Sequence, residues 1–194
     1  MYAYLEGHFT FKSPAQVYLD VNGIGFEVNI SLNTYSAVQH LDKGRLYTHL
    51  MVKEDSHTLY GFSDREEKET FLHLISVSGV GAATARMMLS SMKSDDVRSA
   101  VMSGNARLLE GVKGIGKKTA ERLVLELKDK FARGTSVKGV PQVMVDPLEA
   151  DALSALVALG ISRPQAEQAL RKTIQSEPAI SVLEDLIKKA LKAI

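Results

Sequence analysis

The chain has 194 residues, 45% of them apolar, with a formal net charge of +1. That is a normal globular composition, long enough for one to three domains, and any nucleic-acid surface must be local because no global basicity advertises one. Cysteine is absent, which excludes disulfides and thiolate metal sites and suits a reducing compartment; no signal pattern or membrane-length apolar run is present, so a soluble intracellular protein is expected.

From Tyr2 to Phe62 the chain reads as strands. Tyr2 to Phe11 is the first, closed by Ser13-Pro14, and Gln16 to Val21 the second. Asn22-Gly23 is a hairpin turn, and Ile24 to Ile30 returns. A polar stretch from Ser31 to Leu41 has room for a short helix. Asp42-Lys43-Gly44 then turns into Arg45 to Val52, and His57 to Phe62 finishes. Five short strands in about sixty residues call for closure into a barrel, which removes exposed edges; the oligonucleotide-binding (OB) fold has this size. Between the last two strands, Lys53-Glu54-Asp55-Ser56 forms a tip. An acidic pair there is ordinarily a solvated turn, but on a phosphate-binding protein it would repel a nucleic-acid backbone.

At Ser63 the apolar period lengthens to that of a helix. Ser63-x-x-Glu66 reads as a capping box opening a helix through Phe71, Leu72, Leu74 and Ile75. Ser94-Asp95-Asp96 is expected to cap a further helix ending near Gly104, and Asn105 the next. Two glycine turns interrupt this region. The clearer is Gly111-Val112-Lys113-Gly114-Ile115-Gly116-Lys117-Lys118-Thr119-Ala120-Glu121-Arg122-Leu123. The fainter is Val77-Ser78-Gly79-Val80-Gly81-Ala82-Ala83-Thr84-Ala85-Arg86-Met87-Met88. They align without a gap, Gly79 with Gly114 and Gly81 with Gly116.

Each turn runs into a helix whose apolar face keeps the same phase: Ala85, Met88, Leu89 and Met92 in one copy, Ala120, Leu123, Val124 and Leu127 in the other. A glycine turn that opens a helix exposes backbone N–H groups at the positive end of the helix dipole, a place suited to phosphate. The plain alternative is two turns joining helices in a bundle. Duplication in phase, with Lys113, Lys117, Lys118 and Arg122 around one copy, favours phosphate. Lys118 and Arg122, four apart, are expected side by side. Ala83 and Met87 stand at their positions in the first copy, which is therefore expected to bind mainly by backbone.

Residues 133–145 read as a flexible linker. Asp146-Pro147-Leu148-Glu149 starts a last helical unit, with Ala152, Leu153, Leu156 and Leu159 as an apolar face and Gly160 closing the helix. Ser162-Arg163-Pro164 opens a second helix, Glu177-Pro178 breaks it, and a third runs through Leu191. A small unit on a tether suits docking of a protein. No catalytic set, metal-ligand spacing or nucleotide-binding loop is found, so binding without a cofactor or metal is expected rather than catalysis.

Lys53-Glu54-Asp55 before Leu59-Tyr60-Gly61-Phe62, then Gly79-Val80-Gly81, then Gly114-Ile115-Gly116 through Leu123, and Ala155-Leu156-Val157-Ala158-Leu159-Gly160 together resemble the RuvA family of Holliday-junction-recognition subunits, over nearly the whole length. The resemblance implies a multidomain α+β chain. An N-terminal five-stranded OB-type β-barrel spans 1–63, a middle all-α domain with two helix-hairpin-helix motifs spans 64–132, and a C-terminal three-helix, UBA-like bundle spans 146–194.

It further implies a homotetramer on which a four-way DNA junction lies open and flat, leaving open whether one tetramer or two face the DNA. Glu54 and Asp55 match the family's acidic pin. Gly79, Val80 and Gly81, with Gly114, Ile115 and Gly116, match hairpins that grip phosphates, and Lys117, Lys118 and Arg122 match the basic residues beside them. Leu156, Leu159 and Leu191 fit a surface that docks the hexameric ATPase RuvB; for each, simple core is the competing reading. The RuvC resolvase is a further implied partner, and the bacterial cytoplasm the implied place. Ala83 departs from a basic residue common in the family. A rival reading is a helix-hairpin-helix repair enzyme, a glycosylase or nuclease.

Overall fold

A computed structural model describes residues 2–134, 147–177, 180 and 182–193. The chain divides into two compact units, Met1–Val137 and Lys138–Ile194.

The first unit opens with strands β1 (Tyr4–Ser13), β2 (Gln16–Val21), β3 (Ile24–Ile30), β4 (Lys43–Val52) and β5 (His57–Phe62), with helix α1 (Leu32–Val38) between β3 and β4. They close a barrel in the order β1-β2-β3-β5-β4. Neighbours pair antiparallel except β3 and β5, which run parallel through Asn29↔Tyr60 and Ile30↔Gly61. The Asn22-Gly23 turn takes positive φ at both residues, 54° and 89°, the mirror-image geometry that matches strand twist. Alternation along the strands sends Leu5, Val17, Leu19, Val28, Ile30, Leu46 and Leu59 inward, and Val38 of α1 plugs the same core.

Helices α2 (Arg65–Ile75), α3 (Ala82–Ser91), α4 (Ser94–Met102), α5 (Ala106–Glu110) and α6 (Lys117–Gly134) complete the unit. Two caps differ from expectation. The N-cap of α2 is Asp64, whose Oδ1 accepts from the Glu67 amide at 2.8 Å, while Ser63 turns its hydroxyl to Asp64 and Glu67. The N-cap of α4 is Lys93, one residue earlier than Ser94; its amide donates to Asp96 at 3.2 Å. At α2 the carboxylate one position along displaces the hydroxyl because it accepts the stronger bond, whereas at α4 the bond runs the other way, from the cap's amide to the Asp96 side chain. Asn105 caps α5 as its sequence indicates, accepting from the Leu108 amide.

The helical core holds Phe71, Leu74, Ala85, Met88, Leu89, Val97, Val101, Leu109, Leu123, Leu127 and Phe131, and includes Phe62 of β5. Phe71 stacks on Tyr60 and Phe62 at ring distances of 5.1 and 4.9 Å. Barrel and helices are thus continuous, and polar bonds reinforce the joint. The Glu67 carboxylate is 4% exposed and accepts from the hydroxyls of Ser31 and Thr34, across the joint. Burial raises its pKa above the ordinary 4.5, opposed by those two hydrogen bonds. Asn33 donates to the carbonyls of Leu89 and Met92, and Arg86 to Asn29 and the Ala15 carbonyl.

The second unit packs α7 (Pro147–Ala158), α8 (Arg163–Ser176) and α9 (Leu183–Lys192) around Ala152, Leu156, Ala166, Ala169, Leu170, Leu186 and Ala190. Gly160, at φ 92°, ends α7, and the Ile161 amide reaches back to the Leu156 carbonyl. Of the expected linker 133–145, the first two residues are the end of α6; the rest, together with Asp146 and Pro178, lies outside the described residues. Among the described residues no helix is long and apolar enough to cross a membrane.

Candidate nucleic-acid interface

The two glycine turns have the same construction bond for bond. After α2, the Val77 amide donates to Leu74 and the Val80 amide to Val77; after α5, Val112 donates to Leu109 and Ile115 to Val112. Gly79 and Gly114 take φ of 91° and 93° at equivalent positions, where a side chain would be strained. Ala85 and Ala120 then each donate at 2.9 Å to the carbonyls of Gly81 and Gly116, opening α3 and α6.

The four glycines are exposed, and their amides have no acceptor among the described residues. Val80 and Ile115 stand differently. Each is 5% exposed with its amide engaged, so both serve as apolar feet that pin the turns to the core rather than as outward contacts. The second glycine of each turn has another property. Gly81 is extended, with φ −81° and ψ 165°, and Gly116 is outside the positive-φ set. A Cβ added to either would meet nothing within 4 Å. Neither backbone angle nor packing within the described residues demands a glycine there.

The turns also face each other's helices. A Cβ on Gly79 would lie 4.0 Å from Thr119 of α6, and one on Gly114 3.8 Å from Thr84 of α3. Each turn thus lies beside the start of the other hairpin's helix. Lys113, Lys117 and Lys118 are exposed around the second turn. Arg122, one helical turn past Lys118 on α6, reaches further: its Nη1 donates at 3.3 Å to the carbonyl of Ser78 in the first turn, with Nε 3.9 Å from Glu126. Ala83 and Met87 are exposed and uncharged.

The acidic tip stands at the far end of the β4–β5 hairpin. The Lys53 amide donates to the Ser56 carbonyl at 2.8 Å, closing a tight turn with Glu54 and Asp55 exposed. At the other end of β5, Tyr60 and Phe62 rest on Phe71 of α2, the helix leading into the first glycine turn. The tip and that turn are therefore carried by elements sharing a core.

In the second unit the three leucines separate. Leu156 is fully buried and belongs to the core, which corrects its assignment to a docking surface: its position on α7 faces α8 and α9. Leu159 is 64% exposed and Leu191 42%. Val157 and Val182 are further exposed apolar residues of this unit. Glu67, Asn33 and Arg86 carry no local signal in the sequence, because their partners lie more than thirty positions away. Among the described residues no group of three or more His, Cys, Asp or Glu could hold a metal ion.

Family models place this geometry among known proteins. Residues 1–61 match the RuvA N terminal domain, 71–129 the SAM-like helix-hairpin-helix tandem, and 147–194 the RuvA C-terminal domain. The chain is 46% identical to the Holliday junction branch migration complex subunit RuvA of Christiangramia forsetii, with 99% of both chains covered. It is 44% identical to the protein of that name from Flavobacterium psychrophilum, again over 99% of both. The protein so named from Chromobacterium violaceum is 41% identical over 98% of this chain and 96% of its own. With all three regions matched in order and near full-length identity above 40%, the chain belongs to the RuvA family.

Proposed function

We propose that this protein binds four-way DNA junctions by shape and serves as the non-catalytic scaffold of a branch migration complex. The two hairpins hold phosphates of a duplex arm through the free amides of Gly79, Gly81, Gly114 and Gly116, with Lys117, Lys118 and Arg122 adding charge. Amide-to-phosphate contacts carry no base information, as a junction of changing sequence requires. Glu54 and Asp55 stand at the crossover and repel the backbones, keeping the strands apart. Four copies surround the junction, so that four tips meet at its centre.

Residues 1–63 and 64–132 act as one DNA-binding body, 133–145 as a tether, and 146–194 as a dock for the RuvB ATPase, which supplies the ATP hydrolysis. Leu159 and Leu191 supply its apolar contacts, and the RuvC resolvase acts on the same assembly. The observation that carries the reading is the pair of exposed Gly81 and Gly116, where nothing within the described residues accounts for a missing side chain.

The test compares a four-way junction with linear duplex of the same sequence. Wild-type protein binds the junction more tightly, by an order of magnitude or more. The double variant Glu54→Gln, Asp55→Asn keeps junction affinity and gains affinity for duplex. Equal affinity of the wild type for both DNAs defeats the proposal, and a large loss of junction binding in the double variant defeats the role given to the tip.

A further inference from the structure

We propose that Arg122, although carried on the helix of the second hairpin, is the cation of the first. It grips the phosphate held by Gly79 and Gly81, a different one from that held by Gly114 and Gly116. The proposal rests on the reading that both hairpins hold phosphate.

Distance along the helix separates the two basic residues. Lys118 lies two positions past Gly116, about 3 Å of helical rise, so it stays with its own turn. Arg122 lies six positions past Gly116, about 9 Å along the axis, and has left that turn behind. Its guanidinium sits instead at 3.3 Å from the carbonyl of Ser78, the residue before Gly79. Thr119, one turn back on the same helix face, is the side chain nearest a Cβ built on Gly79. The face of α6 defined by Thr119 and Arg122 therefore looks at the first hairpin.

The first hairpin needs such a donor. Ala83 and Met87 occupy the positions of Lys118 and Arg122, and its nearest basic residue, Arg86, is turned to the barrel by Asn29 and Ala15. Arg122 has five N–H donors; Ser78 takes one, and Glu126, at 3.9 Å from Nε, is beyond hydrogen-bond range. The remaining donors, held in a fixed plane by the Ser78 contact, match two phosphate oxygens. One helix thus charges both phosphate sites and fixes the spacing between them.

The test uses full-length protein and a four-way junction whose phosphates are replaced one at a time by neutral methylphosphonates. Arg122→Gln and Lys118→Gln each weaken binding about tenfold and reduce the slope of log affinity against log salt by about one. The Arg122→Gln effect disappears at one methylphosphonate and the Lys118→Gln effect at a different one. Adding Ala83→Lys to Arg122→Gln restores affinity, and adding it to Lys118→Gln does not restore the lost phosphate dependence.

If both variants lose sensitivity at the same phosphate, the cross-hairpin assignment is wrong while phosphate binding stands. A purely structural role for the Ser78 contact lowers the melting temperature of Arg122→Gln and leaves the methylphosphonate pattern unchanged, which also overturns the assignment. If neither substitution alters affinity or salt slope, the phosphate reading itself fails.

Discussion

Each hairpin holds two glycines, and alanine at the two positions has opposite expected consequences. At Gly79 and Gly114, φ near 90° is left-handed, and alanine there carries about 1–2 kcal/mol of strain. The added Cβ clashes with nothing, since its nearest neighbours are 3.8 Å or more away, so strain is the whole effect. The melting temperature falls by roughly 3–8 °C for each. At Gly81 and Gly116 the backbone accepts any residue and the Cβ enters open space. Alanine is a poorer N-cap than glycine but loses less entropy on folding, so stability stays within about 0.5 kcal/mol of wild type.

Binding runs the other way. The new methyl of Gly81→Ala or Gly116→Ala projects from the surface where phosphate oxygens must come to about 2.9 Å from the amides. Each is expected to weaken junction binding about tenfold, or 1.4 kcal/mol, and the pair by more than either alone. Thermal unfolding followed by fluorescence, beside anisotropy with a labelled junction, reads both quantities on the same preparations. Wild-type affinity in the stable Gly81→Ala and Gly116→Ala variants refutes the idea that DNA backbone occupies that space. An unchanged melting temperature in Gly79→Ala refutes the strain argument.

Glu67→Ala leaves two buried hydroxyls without their acceptor at the barrel–helix joint and is expected to destabilise the first unit by about 2–4 kcal/mol in urea unfolding; a loss below 1 kcal/mol shows the joint rests on apolar packing alone. Because burial raises the Glu67 carboxyl above 4.5, the folded state takes up its proton more readily than the unfolded. Its contribution is therefore full below pH 4.5 and lost as pH rises through the folded value, and Glu67→Gln removes that slope from melting curves taken across the range. In the second unit, Leu156→Ala is expected to cost about 2–4 kcal/mol in a bundle with little to spare, seen as faster amide exchange throughout α7–α9, whereas Leu159→Ser is expected to leave exchange unchanged and to weaken association with the proposed partner RuvB. Equal exchange in the two variants contradicts the division into core and surface.

Local signals carried much of this protein. Strand alternation, Asn22-Gly23 and the in-phase glycine repeats each depend on residues close in sequence, so their elements are legible without the fold. The caps show where local reading slips: the Ser63-x-x-Glu66 pattern points to Ser63, and the folded chain places Asp64, the next residue, at the cap. Leu156 and Leu159 are alike in a periodic pattern, yet α7 ends between them and leaves one buried and the other in solvent.

By itself, then, the sequence determined the barrel, the repeated hairpin and the three-helix tail, because hydrophobic period and turn chemistry act over a few residues. Tertiary structure alone decided that barrel and hairpins form one body through Glu67, Asn33 and Arg86, and that Arg122 crosses to the other turn. Those contacts join residues 33 to 57 positions apart, where no periodicity reaches and only the packed chain brings donor to acceptor.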